Sequence, residues 1–391
     1  MKRKLAIYNH RVSDSLQNNH ILEDENMKNQ RSIVNHDILD CSANDALDKV
    51  LGVHHYSGRV LGSTNPEDVL QLNPDLKEHW DWISGHYKKA GISYSETIIW
   101  NDSFDVMTGF NHHEPSVFFF GDRAHKAKPD QAWYDIVKKM NSKNDFIEIC
   151  SQLNVPTPKT WCFDCKSQVD VEIGFPFPVY LKIAVSVSGL GVVKCNNASE
   201  LEIELLKIER NIPLQIQEGK DAFTFLNLQY RKNGKLERVL ATEQVLKGCC
   251  HVGNAYPTMY QPWELTDGIA EEMVHQGMRG YFAFDIAACN ENGKVAYYAI
   301  ECNPRFNGSS YPTNIAKKIG AKNWIAKKVS TSMNSFSNVD LGEIQYTPKK
   351  GVGVIVVNWG SITEKEIGVM FVSDNAKQEQ MFEEKLLNCL Q

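Results

Sequence analysis

Tyr297-Tyr-Ala-Ile-Glu301-Cys-Asn303-Pro304-Arg305 reads as the end of a β-strand that carries chemistry. Side chains alternate faces along a strand, so Glu301 and Asn303 share one face while Ile300 and Cys302 turn toward the core. Pro304 ends the ladder, and Arg305 leaves it beside those oxygens. A carboxylate, an amide oxygen and a guanidinium at one strand end suit a polyphosphate with its divalent cation. The oxygens are hard ligands for Mg2+, and the guanidinium is a planar fork for phosphate or carboxylate. Asp285 is the third oxygen expected, from the partner strand of a hairpin formed by Tyr281–Cys289 and Lys294–Asn303. Register tests this. A three-residue loop, Glu291-Asn-Gly293, sets Asp285 opposite Ala299, on the face of Glu301 and Asn303. A two-residue Asn292-Gly293 turn sets it opposite Ile300, on the wrong face. The metal reading therefore requires the longer turn, or else a bulge.

Upstream, Pro178-Val-Tyr-Leu-Lys182-Ile183 alternates, with Val179, Leu181 and Ile183 on a buried face and Tyr180 and Lys182 on the other. Ser186-Val-Ser188-Gly189-Leu-Gly191 follows as a small-residue turn able to press backbone N–H groups onto phosphate oxygens. Ser142-Lys143-Asn-Asp145 is a capping-box-like helix start. The helix carries Phe146, Ile147, Cys150 and Leu153 on one apolar stripe, which places Lys143 in its first turn as a second cation. It stops before Val155-Pro-Thr-Pro158, whose prolines force an extended chain. Leu214-Gln-Ile-Gln217-Glu218 alternates and breaks at Gly219. That form suits a hinge offering Glu218 and neighbouring amides to an adenine edge, with Asp221 placed for a ribose hydroxyl.

The chain has 391 residues and 44.3 kDa, more than one ordinary hydrophobic core holds, so two to three domains are expected. Its 42 basic and 48 acidic residues give a net charge of −6, which argues against a protein built to neutralise nucleic-acid phosphates. A hydrophobic share of 42% with 23% charged residues is too apolar for disorder. No apolar run approaches the ~18 residues of a membrane span, and Leu5–Tyr8 is too short for a signal core. A cytoplasmic enzyme is the expectation. The ten cysteines are then reduced thiols. Cys162-Phe-Asp-Cys165 lacks the second ligand pair of a zinc site, and Cys249-Cys250-His251 has poor ligand geometry.

The first third suggests an open α/β layer, with strands at residues 4–8 and 116–121 and helical spacing around 45–51, 77–90 and 129–140. No glycine precedes Gly52, so the first βα turn cannot hold a Gly-rich dinucleotide fingerprint. Further strands are expected at Val179–Val185, Gly191–Cys195, Phe223–Arg231, Leu236–Leu246 and Lys349–Trp359. Helices are expected near Ser199–Glu209, Glu264–Met278 and Asn375–Leu390. Cys249–Pro257 reads as a polar loop; His251 and Asn254 within it, and Ser309 after Arg305, are candidates for an acceptor pocket.

The order of these parts resembles the ATP-grasp superfamily of carboxylate–amine ligases over roughly residues 135–310. A helix-opening lysine and Pro-Thr-Pro are followed by a strand lysine with a Gly-rich turn. A hinge ending in Glu comes next, then Asp at hairpin distance before Glu-x-Asn-Pro-Arg. Residues 1–135 are only loosely similar to the pre-ATP-grasp domain of peptide-ligase-like members. The resemblance implies an α/β (α+β) chain in which two α+β subdomains grip ATP behind an open α/β N-terminal domain. The bounds expected are 1–135 for the N-terminal domain, 136–213 for the small lid subdomain and 214–391 for the large one. It further implies that Lys143 and Lys182 hold ATP phosphates under Ser188, Gly189 and Gly191. Gln217, Glu218 and Asp221 would bind the nucleoside. Asp285, Glu301 and Asn303 would bind Mg2+ (or Mn2+), and Arg305 would steady the γ-phosphate or an acyl phosphate. The partners implied are small-molecule carboxylate and amine substrates of the amino-acid or small-peptide class. Neither nucleic acid nor membrane is expected, and a homodimer is compatible with the sequence. Acyl transfer to a carrier-protein thiol, and a nucleotide-binding module without turnover, are the alternative functions.

Overall fold

The structure, a computed structural model, describes residues 31–41, 53–186 and 191–391. The expected strand at 4–8 and helix at 45–51, together with Ser188 and Gly189, lie outside the described residues.

The N-terminal sheet is parallel: β1 (Ser32–Asn35), β2 (Val69–Gln71), β3 (Ile98–Ile99) and β4 (Glu114–Val117), in the order β3-β2-β1-β4. The strand expected over 116–121 pairs only as far as Val117, although Phe118, Phe119 and Phe120 stay buried beyond it. A long apolar run does not itself say where pairing ends. Helices α1 (Trp80–Ala90), α2 (Asp122–Ala127) and α3 (Gln131–Asn141) follow. Asp130 caps α3, its carboxylate accepting from Trp133 N at 3.1 Å.

The second sheet is small and antiparallel. It contains β5 (Thr160–Phe163), β6 (Val179–Ile183), β7 (Val192–Cys195) and β8 (Leu214–Glu218), in the order β5-β8-β6-β7. Helices α4 (Lys143–Gln152) and α5 (Ala198–Lys207) accompany it. Val179, Leu181, Leu214 and Ile216 pack with Leu201 and Leu205 of α5 in a core of their own. Ser142 caps α4 as its sequence predicts, accepting from Asp145 N at 3.3 Å. Lys143 N donates to Ala184 O at 2.8 Å, which ties the helix start to the end of β6.

The third sheet has eight antiparallel strands, ordered β13-β12-β9-β10-β11-β14-β16-β15. They are β9 (Ala222–Asn233), β10 (Lys235–Lys247), β11 (Cys250–Tyr256), β12 (Gly280–Glu291), β13 (Lys294–Asn303), β14 (Trp324–Ser330), β15 (Gly353–Asn358) and β16 (Glu366–Val372). Helices α6 (Trp263–His275), α7 (Ser310–Ile319) and α8 (Ala376–Cys389) complete it. Its core runs without a break into that of the N-terminal sheet. The expected loop at Cys249–Pro257 is instead mostly strand β11, between β10 and β14. Gly253 explains the polar, small-residue look: a Cβ there would stand 2.1 Å from Ala326 O, so the close approach of β14 needs glycine.

The β12–β13 hairpin settles the register question. Its turn is the short one, with Glu291 opposite Lys294 and left-handed Asn292 (φ 52°) and Gly293 (φ 77°) between them. A bulge then corrects the faces. Ile286 lies opposite Ala299 and Asp285 opposite Glu301, leaving Ile300 as the extra residue. Ala299, expected beside Glu301, is therefore in the core with Cys302, while Ile300, expected in the core, lines the cavity described below.

Candidate active site

A cavity of about 320 Å³ lies among all three sheets. The small sheet supplies Lys182, Gln217 and Glu218; the large sheet supplies Asn227, Asp285 and Glu301; the N-terminal part supplies Tyr56, Arg59 and Phe118.

Lys182 is buried, and its Nζ donates to Gln217 Oε1 at 2.6 Å. Gln217 is held in turn by donating to Thr160 Oγ1 at 2.9 Å. Lys143, also buried, has its Nζ 3.1 Å from Ser186 Oγ and 3.2 Å from Glu301 Oε2. The two lysines thus face the end of β13, as the sequence reading requires. Burial lowers the Lys182 ammonium to about 8, with the positive Lys143 adding to the effect and Glu301 opposing it. A single group at that value passes from ammonium to amine as pH rises through 8. If Lys182 contacts a phosphate, kcat/KM for the nucleotide, measured from pH 7 to 10, falls about tenfold per pH unit above 8. Lys182→Arg, charged throughout, flattens the profile.

Asp285 and Glu301 are adjacent across the hairpin. Asn227, opposite Asp285 on β9, donates to its Oδ1 at 2.6 Å, and Asn303 donates to Oδ2 at 3.1 Å. Burial, and then the facing Glu301, push the Asp285 carboxyl up to about 7. Burial also raises Glu301, but Lys143, Lys182 and Arg305 outweigh it and hold that carboxylate down at about 2. Two carboxylates and an amide with hard oxygen donors, one carboxylate strained by the other, fit Mg2+ or Mn2+. Binding through Asn303 requires its amide oxygen to turn toward the cation. Among the described residues no group of three or more His, Cys, Asp and Glu side chains gathers to hold a metal, here or elsewhere; at this site the third oxygen is the amide of Asn303, and Cys162 is exposed.

Arg305 lines the cavity, its Nη1 donating to Asn141 Oδ1 at 3.1 Å. His251 lines it too, 2.7 Å from Asn254 Oδ1 through Nε2. Asn254 Nδ2 donates to Thr242 Oγ1 at 3.0 Å, so its oxygen is the atom facing the ring. Nε2 of His251 therefore carries the proton and Nδ1 the lone pair. Burial lowers the His251 pKa, favouring this neutral form.

Four candidates lie outside the cavity lining: Lys143, which meets it through Glu301, and three others. Asp221 is exposed and does not line the cavity; Lys220 does, paired with Glu218 at 3.5 Å and Glu291 at 3.7 Å. Ser309 is buried outside the cavity lining, donating to Asn227 Oδ1 at 2.7 Å, so it supports the residue that supports Asp285. Gly191 (φ 74°) packs against Ile183 at the end of the turn, outside the cavity lining. Sequence reading missed Asn227, Arg59 and Lys220. Asn227 had a signal: Phe225-Leu-Asn227-Leu-Gln229 puts a polar residue on every second position of a buried strand.

No protein-family description matches the sequence, and no curated protein matches it. Solved structures do match. One is the N5-carboxyaminoimidazole synthase of Aspergillus clavatus in complex with ADP and 5-aminoimidazole ribonucleotide. It is 9% identical, with a TM-score of 0.58, over 93% of this chain and 99% of that one. Another is the N5-carboxyaminoimidazole synthetase of Staphylococcus aureus complexed with ADP. It is 12% identical, with a TM-score of 0.54, over 91% of this chain and 96% of that one. The phosphoribosylaminoimidazole carboxylase ATPase subunit of Aquifex aeolicus matches at 12% identity and a TM-score of 0.52, over 93% of this chain and all (100%) of that one. At these identities the likeness is one of architecture, and it runs nearly end to end: the chain has the ATP-grasp fold.

Proposed function

We propose that the protein is an ATP-dependent carboxylate–amine ligase that moves the γ-phosphoryl group of ATP to a carboxylate, giving ADP and an acyl phosphate, from which an amine then displaces inorganic phosphate to form the C–N bond. The observation that carries this reading is the convergence of Lys143 and Lys182 on the Asp285–Glu301 pair, with Arg305 at the same strand end. Phosphoryl transfer needs positioning and charge neutralisation more than a covalent protein group, and these residues supply both. Lys143 and Lys182 hold the phosphates from one wall; Gln217 orients Lys182; Glu218 and the backbone at the end of β8 accept the adenine. Asp285, Glu301 and Asn303 hold Mg2+, which when bound shields phosphate charge. Arg305 holds an oxyanion of the transferring group with its free donors. His251, with its lone pair on Nδ1, takes a proton from the incoming amine. The matched synthetase bound to ADP and 5-aminoimidazole ribonucleotide, an amine, supports an amine acceptor here. An amino acid or small peptide as substrate rests on the polar lining of His251 and Asn254.

The test is product analysis with Mg2+ and ATP across amino acids and small carboxylates, singly and in pairs. ADP and phosphate that appear only with an added carboxylate and amine are the expected result. AMP and pyrophosphate, or no product from any pair, overturn it.

A further inference from the structure

Arg59 sits on a 3₁₀ helix, Val53–Ser63, that the phosphate and metal chemistry does not use. The helix is fixed in place: Trp359 Nε1 donates to Gly58 O at 2.7 Å. A Cβ at Gly58 would come within 2.8 Å of the Trp359 ring, and one at Gly62 within 2.6 Å of Ile315. These two glycines let the helix seat closely, and Arg59 is held at the cavity wall as a result. Its guanidinium lies among three rings, with Cζ 4.9 Å from the Tyr56 centroid, 4.5 Å from Phe118 and 4.6 Å from Tyr311.

Arg59 is 9% exposed and lines the cavity, yet its Nε and Nη2 have no hydrogen-bond partner. Among the described residues no carboxylate pairs with it. A buried guanidinium without a counter-charge carries a desolvation cost of several kcal/mol, which three aromatic faces offset only in part. Of the other cations nearby, Lys328 pairs with Glu366 at 3.0 Å, and Arg305 donates through Nη1 to Asn141 at 3.1 Å while its Nε has no partner. Arg305 and Arg59 lie over the same Phe118 ring, at 5.8 and 4.5 Å. Arg59 lines the cavity from the N-terminal part, beside Tyr56 and Phe118, and not from the β12–β13 hairpin that carries Asp285 and Glu301.

We propose that Arg59 is a specificity-determining residue that grips a non-reacting oxyanion, a carboxylate or a phosphate, on the substrate filling the cavity at its Tyr56–Phe118 wall. The planar fork of Nε and Nη2, unpartnered and covered by the surrounding rings, matches either group once the side chain rotates toward the cavity, and the same rings exclude water from the pair. This deepens the ligase reading and rests on it: the substrate class becomes one with a second, spectator negative charge.

Titration calorimetry on the whole chain saturated with Mg2+ and ADP tests the assignment with three amines differing only in their far end: ethanolamine, glycine and phosphoethanolamine. Wild type is expected to bind glycine or phosphoethanolamine at least about tenfold tighter than ethanolamine, in line with one charged hydrogen-bonded pair. The tighter of the two identifies carboxylate or phosphate as the group read. Arg59→Met, in protein that still binds Mg2+ and ADP, is expected to lose that preference. Arg59→Lys, which keeps the charge and loses the fork, retains part of it and serves where the Met variant does not fold. Equal binding of all three amines, binding of none at 50 mM, or a preference that survives in the variants overturns the proposal. Failure of wild type to bind Mg2+ and ADP at all instead overturns the ligase reading.

Discussion

Glu301→Gln is expected to lower Mg2+-dependent ADP formation by about 10²–10³-fold, the range for removal of one preorganised charge-stabilising group. The reason lies in what Glu301 touches. It faces Asp285 across the bulge and stands 3.2 Å from Lys143 Nζ, so in the proposed ligase it would serve the cation and the phosphate-holding lysine together. Gln keeps the shape and loses the charge. Two buried ammonium groups then lack their shared counter-ion, which costs about 2–3 kcal/mol of stability, less than a fully buried pair because Glu301 is partly solvated. Steady-state kinetics and urea denaturation together check this. A variant with near-normal turnover removes Glu301 from the chemistry.

Asp285→Asn separates stability from activity in the opposite direction. The Asp285 carboxyl is raised to about 7 by burial and by Glu301. A carboxyl raised in the folded state binds its proton more tightly there than in the unfolded chain. Its ionisation therefore costs stability as pH rises from about 4 to 7, and the cost persists above 7. Asn carries no such charge; its oxygen keeps the bond from Asn227, and the Asn303 amide turns its own oxygen to accept from the new NH2. Without metal at pH 8, the variant is expected to melt about 2–5 °C above wild type, with the gain vanishing below pH 4. With Mg2+ and ATP the order reverses, because only wild type gains the ligand's binding energy. Turnover falls at least about 10²-fold. A variant that melts below wild type at pH 8 without metal contradicts the like-charge account of this pair. This is strain kept at a functional site at the expense of the resting fold.

Much of the scaffold was legible because its signals are local. Alternation marks Lys182 and Gln217 as the polar positions of two half-buried strands; Leu214–Glu218 forms with the expected bounds, and the strand expected over Val179–Val185 ends two residues early, at Ile183. Ser142 announces its helix, and with it Lys143, through capping chemistry alone. Asn292-Gly293 specifies the short turn correctly, since both residues adopt positive φ. The bulge at Ile300 was not legible: an apolar residue in an apolar strand gives no sign that it is the extra one, and only tertiary packing decides. The alternation rule consequently misplaced Ala299 and Ile300 while the faces of Asp285 and Glu301 came out together. Strands β14 and β16 were not anticipated, the first because Lys327 and Lys328 interrupt its pattern; Lys327 is half-covered by Glu379 and Glu383 of α8. Arg59 had no local signal at all. Its role follows from Trp359 and Ile315, about 300 and 250 residues away in sequence, meeting Gly58 and Gly62. Long-range approach of that kind leaves no periodicity to read.

The most direct measurement of the central claim is the anomalous scattering of Mn2+ in crystals grown with Mn2+ and a non-hydrolysable ATP analogue. The account predicts density within about 2.0–2.3 Å of carboxylate oxygens of both Asp285 and Glu301, with analogue phosphates between the cation and the Lys143 and Lys182 ammonium groups. Manganese bound elsewhere, or phosphates away from both lysines, contradicts it.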